Sequence, residues 1–158
     1  MRKRRIDFPS ASVHQGYGQN WLDLQQIATL EVTSEDPKFP VESAFGLGQS
    51  AGWRASQPGE QLLRIVFDHP ISLHRIQLHF RELEVERTQE FTLRWLPIDG
   101  GAAKEIVRQQ WNFSPTGSTT EVEDYRVSLE NVSALELVIK PDLTRHEVVA
   151  TLALWRLA

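Results

Sequence analysis

Three stretches of the chain gather side chains able to recognise a polar ligand. The first is Trp53-Arg54, set among small residues in AGWRASQPG, 51–59. An indole face can stack on the apolar side of a sugar ring, and a neighbouring guanidinium can donate paired hydrogen bonds to hydroxyls or a carboxylate. The same tryptophan could instead plug a core with Arg54 covering it, and the residues alone leave both uses open. The second stretch is RELEVERTQE, 81–90, which crowds Arg81, Glu82, Glu84, Glu86, Arg87 and Gln89 between two apolar segments. Charges of both signs on a loop tip suit a polyhydroxylated or zwitterionic ligand, although a solvated loop laced by weak ion pairs has the same composition. The third is IVRQQWNFSP, 106–115, where Arg108 and Gln110 share one parity of a presumed strand and Trp111 and Asn112 follow. Planar polar groups beside an aromatic suit a sugar-binding cleft. A plain corner, with Trp111 and Phe113 in the core and Asn112 bonded to turn backbone, fits the pattern equally.

Other chemistries lack their residues. His74 and His79 lie five apart on one presumed strand and so point to opposite faces, while His14, His69 and His146 fall in turns or distant loops. No metal centre is expected from them. The chain has no cysteine, which removes disulfides, thiolate nucleophiles and Cys-zinc sites, and points to a reducing, cytoplasmic compartment. No GxSxG elbow or GxxxxGK[ST] loop occurs, and GLGQSAG, 46–52, lacks the βαβ setting of a phosphate cradle. The carboxylates of 82–90 sit where solvent would keep their pKa values together, so they make a poor acid–base pair. The expectation is a non-enzyme without a cofactor.

Charge narrows the partners further. A net charge of −4 offers no broad basic field for nucleic acid. The terminal MRKRR is followed by IDFPSASVHQGYG, broken by Asp7, Pro9, His14 and two glycines, so it makes neither a signal sequence nor a membrane span. No membrane partner is expected.

Short strands must position these groups. Residues 1–20 are polar and turn-rich and read as a flexible N-terminal arm. A helical turn at Trp21 to Gln26 leads into a strand near Ile27 to Thr33, and VESAFGLGQSAG, 41–52, reads as one helical turn and a loop. QLLRIVF is apolar on both parities, as in a strand buried mid-sheet, whereas ISLHRIQLHF alternates Ile76, Leu78 and Phe80 against Arg75, Gln77 and His79. TQEFTLRWLP, KEIVRQQW, EVEDYRVSL, ALELVIKP and TLALWRLA complete the set, separated by turn clusters. About eight short strands with almost no helical periodicity predict an all-β fold, an antiparallel β-sandwich in one domain spanning 21–158.

The segment SAFGLGQSAGWRASQPGEQLLRIVFDHPISLHRIQLHF, 43–80, resembles the core of discoidin, or coagulation-factor type C, domains. The likeness rests on the Ala44-Phe45 pair before a glycine-rich loop, on Trp53 soon after it, and on the run from Leu62 to Leu78. It implies the galactose-binding-like jelly roll, with ligands held by loops at one end. Such domains often place Asp-Gly after the Ala-Phe pair to hold a structural calcium. Here the run is Phe45-Gly46-Leu47-Gly48, without a carboxylate for a cation that takes six to eight oxygens. The resulting expectation is a non-catalytic module that recognises a carbohydrate or similar polar ligand at one end of the sandwich. Trp53, Arg54, Arg81, Glu86, Arg87, Arg108, Gln110, Trp111 and Asn112 would line that end. The alternative is a protein-interaction module using the same loops or a sheet edge.

Overall fold

The computed structural model describes residues 21–46 and 51–158. The predicted arm, 1–20, and residues 47–50 of the glycine-rich loop lie outside the described residues. In chain order come a single helical turn α1 (Leu24–Ile27), β1 (Ala28–Val32), a 3-10 turn (Val41–Phe45), β2 (Trp53–Pro58) and β3 (Gln61–Arg81). There follow β4 (Arg87–Pro97), β5 (Lys104–Phe113), β6 (Thr120–Lys140), β7 (Val149–Leu152) and β8 (Leu154–Leu157).

Two strands of 21 residues, β3 and β6, organise the sandwich. They pair antiparallel from Gln61↔Ile139 to Arg81↔Thr120. The sequence reads each as two strands, parted at His69-Pro70 and at Asn131-Val132-Ser133. The structure joins them instead. Pro70 has no N–H for a ladder and Asn131 adopts a left-handed φ of 55°, so the register shifts there and the ribbon bends without ending. One half of the ribbon joins a layer ordered β1-β3-β6-β4-β5, and the other half carries β8 on its edge. β2 and β7 form a separate two-stranded sheet.

The alternation of side chains then closes the core. Leu63, Ile65 and Phe67 bury one half of β3, and Leu73, Ile76, Leu78 and Phe80 bury the other. Phe80 stacks on Phe91 of β4 with centroids 5.2 Å apart, which ties the layers together. Truncating either ring would cost about 3–5 kcal/mol. The Leu22 N–H donates to the Leu157 carbonyl at 2.8 Å, so the start of the described chain lies beside the last strand.

β2 is a strand the sequence does not announce, because its SQPG ending reads as a turn. Trp53 and Ala55 point inward, and the Trp53 indole donates to the Ser34 carbonyl at 3.0 Å. Gly52 makes this possible. Its φ is +91°, and a Cβ there would stand 2.5 Å from the Leu152 carbonyl oxygen.

Candidate functional site

A groove of about 380 Å³ opens where β2 and β7 meet the end of β3 and the following loop. Phe39, Trp53 and Arg54 line one side of it, and Arg81, Glu82, Leu83 and Glu84 line the other. Thr151 stands between the two arginines. Its Cα is the register partner of Arg54, and its hydroxyl donates to the Arg81 carbonyl at 3.4 Å. Neither guanidinium has an ion pair or a side-chain hydrogen bond among the described residues. Leu83 is 54% exposed at the lip, an apolar side chain between Glu82 and Glu84.

The loop wall is fixed from beneath by Arg87. Its side chain is 0% exposed and pairs with Glu82 at 2.8 Å. The same guanidinium donates to Gln89 Oε1 at 3.0 Å, to the Pro141 carbonyl at 2.9 Å and to Thr151 Oγ1 at 3.4 Å, and it lies over the Phe113 ring. Burial depresses its pKa, and the pairing with Glu82 opposes that effect. Glu82 also accepts the N–H groups of Glu84 and Val85, so its carboxylate is spent on architecture. That is why it leaves Arg54 and Arg81 alone.

Behind Arg87 lies Glu121, fully buried, whose Oε1 accepts from Gln89 Nε2 at 3.2 Å. Burial, reinforced by the nearby Glu123 carboxyl, pushes its pKa up to about 8. Its Oε2 has no partner among the described residues.

The predicted residues do not gather at one place. Arg54 and Arg81 share the groove. Trp53 is 1% exposed and is a core plug, its indole N–H already committed to backbone. Arg87 is interior, a loop anchor with no free donor face. Glu86 and Asn112 line a wider hollow beside the groove, of about 670 Å³, together with Asp142 and Arg145. Much of its polar lining is satisfied internally. Asn112 Oδ1 accepts from Thr88, and Arg145 donates to the Glu86 carbonyl. Burial pushes the Asp142 carboxyl up, but the N–H groups of Thr88, Arg145 and Thr144 outweigh it and hold the pKa at about 2.

Arg108 and Gln110 sit elsewhere. Arg108 opposes Thr92, five residues along β4 from Arg87, which is about 17 Å at the usual strand rise. Both side chains face outward, and Arg108 pairs with Glu90 and Glu105. Trp111 has the opposite parity and packs inward, its Nε1 donating to Ser118 Oγ at 3.1 Å. The alternation of IVRQQW therefore holds, but it splits the stretch between the face and the interior. Phe39, Leu83 and Thr151 of the groove were not singled out from sequence. Only Leu83, an apolar residue inside RELEVER, carried a legible signal.

The sequence matches no protein-family model and no curated protein. Solved structures do match. The family 32 carbohydrate-binding module of Clostridium perfringens NanJ, solved with galactose, covers 87% of this chain and 96% of its own at 13% identity and a TM-score of 0.57. The family 32 module of AlyQ, solved with 4,5-unsaturated mannuronic acid, covers 89% and 98% at 12% identity and a TM-score of 0.61. The lectin domain of lectinolysin, complexed with Lewis B antigen, covers 83% and 92% at 9% identity and a TM-score of 0.54. The fold is the galactose-binding-like jelly roll. It is the fold that the resemblance in residues 43–80 implies.

Proposed function

We propose that this chain is a non-catalytic carbohydrate-binding module whose sugar lies in the end groove, between Arg54 and Arg81. The observation that carries the reading is the pair of guanidiniums without an ion pair or side-chain hydrogen bond among the described residues, facing a groove with an apolar lip and a threonine hydroxyl between them. Free guanidiniums present paired donors at fixed angles, which suits ring hydroxyls or a sugar carboxylate. Leu83 and Phe39 offer apolar surface to the C–H face of a ring. The sugar complexes of the structural neighbours support the same use of the fold, while the residues that would do it here are this chain's own.

A glycan array probed with the wild type and with an Arg54→Ala/Arg81→Ala variant tests the reading. Retention of at least one glycan by the wild type, lost in the variant, is expected. Silence from the wild type across neutral and acidic glycans would refute it, as would equal retention by both proteins.

A further inference from the structure

The outer face of the five-stranded layer carries a second set of unpaired cations. The register aligns one charged residue from each strand, Glu31–Arg64–Glu136–Arg94–Glu105, alternating in sign across the sheet. In the next row Leu62, Val138, Thr92 and Arg108 stand side by side, and beyond it lie Lys140, Glu90 and Gln110. Simple alternation would give every cation a carboxylate. The observed pairing does not. Arg64 takes Glu31 at 2.9 Å and Glu136 at 2.8 Å. Arg108 reaches diagonally in both directions and takes Glu90 at 2.9 Å and Glu105 at 3.0 Å.

Glu90 and Glu105 are the register neighbours of Lys140 and Arg94. Both cations are thereby left without an ion pair or side-chain hydrogen bond among the described residues, and Arg94 Nε is buried without an acceptor. A buried donor left unmet is costly, so an oxyanion that reached this nitrogen would gain by satisfying it. The Glu60 carboxylate shares a groove of about 370 Å³ with Arg94, Arg108 and Lys140, and the rest of its wall includes Leu62, Val138 and Thr92. Those last three offer mostly apolar surface on an outward sheet face. Lys140 opposes Glu90, four positions from Arg94 along β4, so the two free cations stand about 13 Å apart along the strand direction.

We infer that this face is a second binding site, for an acidic oligosaccharide. Two oxyanions borne on a chain of sugar rings would meet Arg94 and Lys140 while ring C–H faces cover Val138, Leu62 and the Thr92 methyl. The site follows from the ion pairing alone. Only the choice of a glycan as carrier of the oxyanions rests on the carbohydrate reading of the end groove. Carboxylate and sulfate esters present the same charge and acceptor chemistry here.

Titrations with trigalacturonate, with a chondroitin sulfate tetrasaccharide and with a neutral galactan trisaccharide separate the cases, read by arginine Nε–Hε resonances and calorimetry. At least one acidic probe should shift the Arg94 Nε–Hε signal and the amides of Thr92 and Val138, and the neutral probe should not. The tighter acidic probe names the oxyanion. Arg94→Gln and Lys140→Gln should each weaken binding about tenfold. Arg94→Lys, which keeps the charge and lacks the guanidinium Nε donor, should bind more tightly than Arg94→Gln and so exclude a folding artefact, and added salt should weaken binding. The Arg54→Ala/Arg81→Ala variant should keep the Arg94 Nε–Hε shift with the acidic probe, whether or not the end groove holds a sugar. No movement of Arg94 with either acidic probe would overturn the inference. So would Thr92 and Val138 shifts that survive both glutamine variants, or an Arg94 shift lost with the end-groove variant.

Discussion

The end groove and the face of the five-stranded layer solve one problem in two ways. In each, one arginine ties up carboxylates that stand near the site, and two other cations are left without an ion pair among the described residues. At the groove that arginine is Arg87, fully buried, whose bond to Glu82 holds the loop in place. On the face it is Arg108, with 54% of its side chain exposed, bridging Glu90 and Glu105. Burial decides what each pairing is worth. A buried pair resists the loss of either partner strongly, whereas an exposed pair competes with water and salt. The anchor of the groove is therefore structural, and the bridge on the face chiefly sets which cations remain free.

The largest effect expected from this contrast is at Arg87. Arg87→Ala takes the partner from the half-buried Glu82 carboxylate and empties the interior site between Gln89, Pro141 and Phe113, and should destabilise the fold by about 3–5 kcal/mol, measured by urea unfolding. A loss below about 1 kcal/mol would mean that the loop does not depend on this anchor. Next come the free arginines. Arg54→Ala and Arg81→Ala should each weaken sugar binding about 10- to 100-fold while unfolding stays within about 0.5 kcal/mol of wild type. A large stability change at either would show that it belongs with Arg87.

The buried acid behind the groove gives a pH signature. Glu121 has a pKa of about 8 in the fold against an ordinary 4.5, so the folded chain holds a proton that the unfolded chain releases across that window. Its contribution to stability is complete below pH 4.5 and is lost as pH rises through 8. Glu121→Gln should flatten that decline and raise stability at pH 8 by roughly 1–3 kcal/mol, with little gain at pH 4.5. An unchanged pH slope would show that Glu121 titrates normally. The smallest effect is at Arg108. Arg108→Gln should leave the thermal midpoint nearly unchanged, because its guanidinium is more than half exposed and the Glu90 carboxylate it leaves has Lys140 as register neighbour.

Much of the architecture was legible because alternation is local. Ile76, Leu78 and Phe80 declare their face within ten residues, and the parity of Arg108 and Gln110 against Trp111 survives intact in β5. The long ribbon was not legible. Pro70 and Asn131 are strand-ending residues by type, and only pairing with a partner strand turns each into a bend. The site was half legible for a similar reason. Arg54 and Arg81 were found by type, yet nothing local separates them from Arg87 in the same charged loop. That distinction depends on Pro141, Thr151 and Phe113, which are distant in sequence and meet only in the fold. Phe39 reaches the groove through backbone bonds with Arg54, a contact that no spacing rule contains.

Diffraction from crystals soaked in a glycan retained on the array tests the central claim most directly. The account predicts a sugar ring between the Arg54 and Arg81 guanidiniums, in contact with Leu83 and within hydrogen-bond reach of Thr151. A ring bound away from that groove, with both guanidiniums left in solvent, would contradict it.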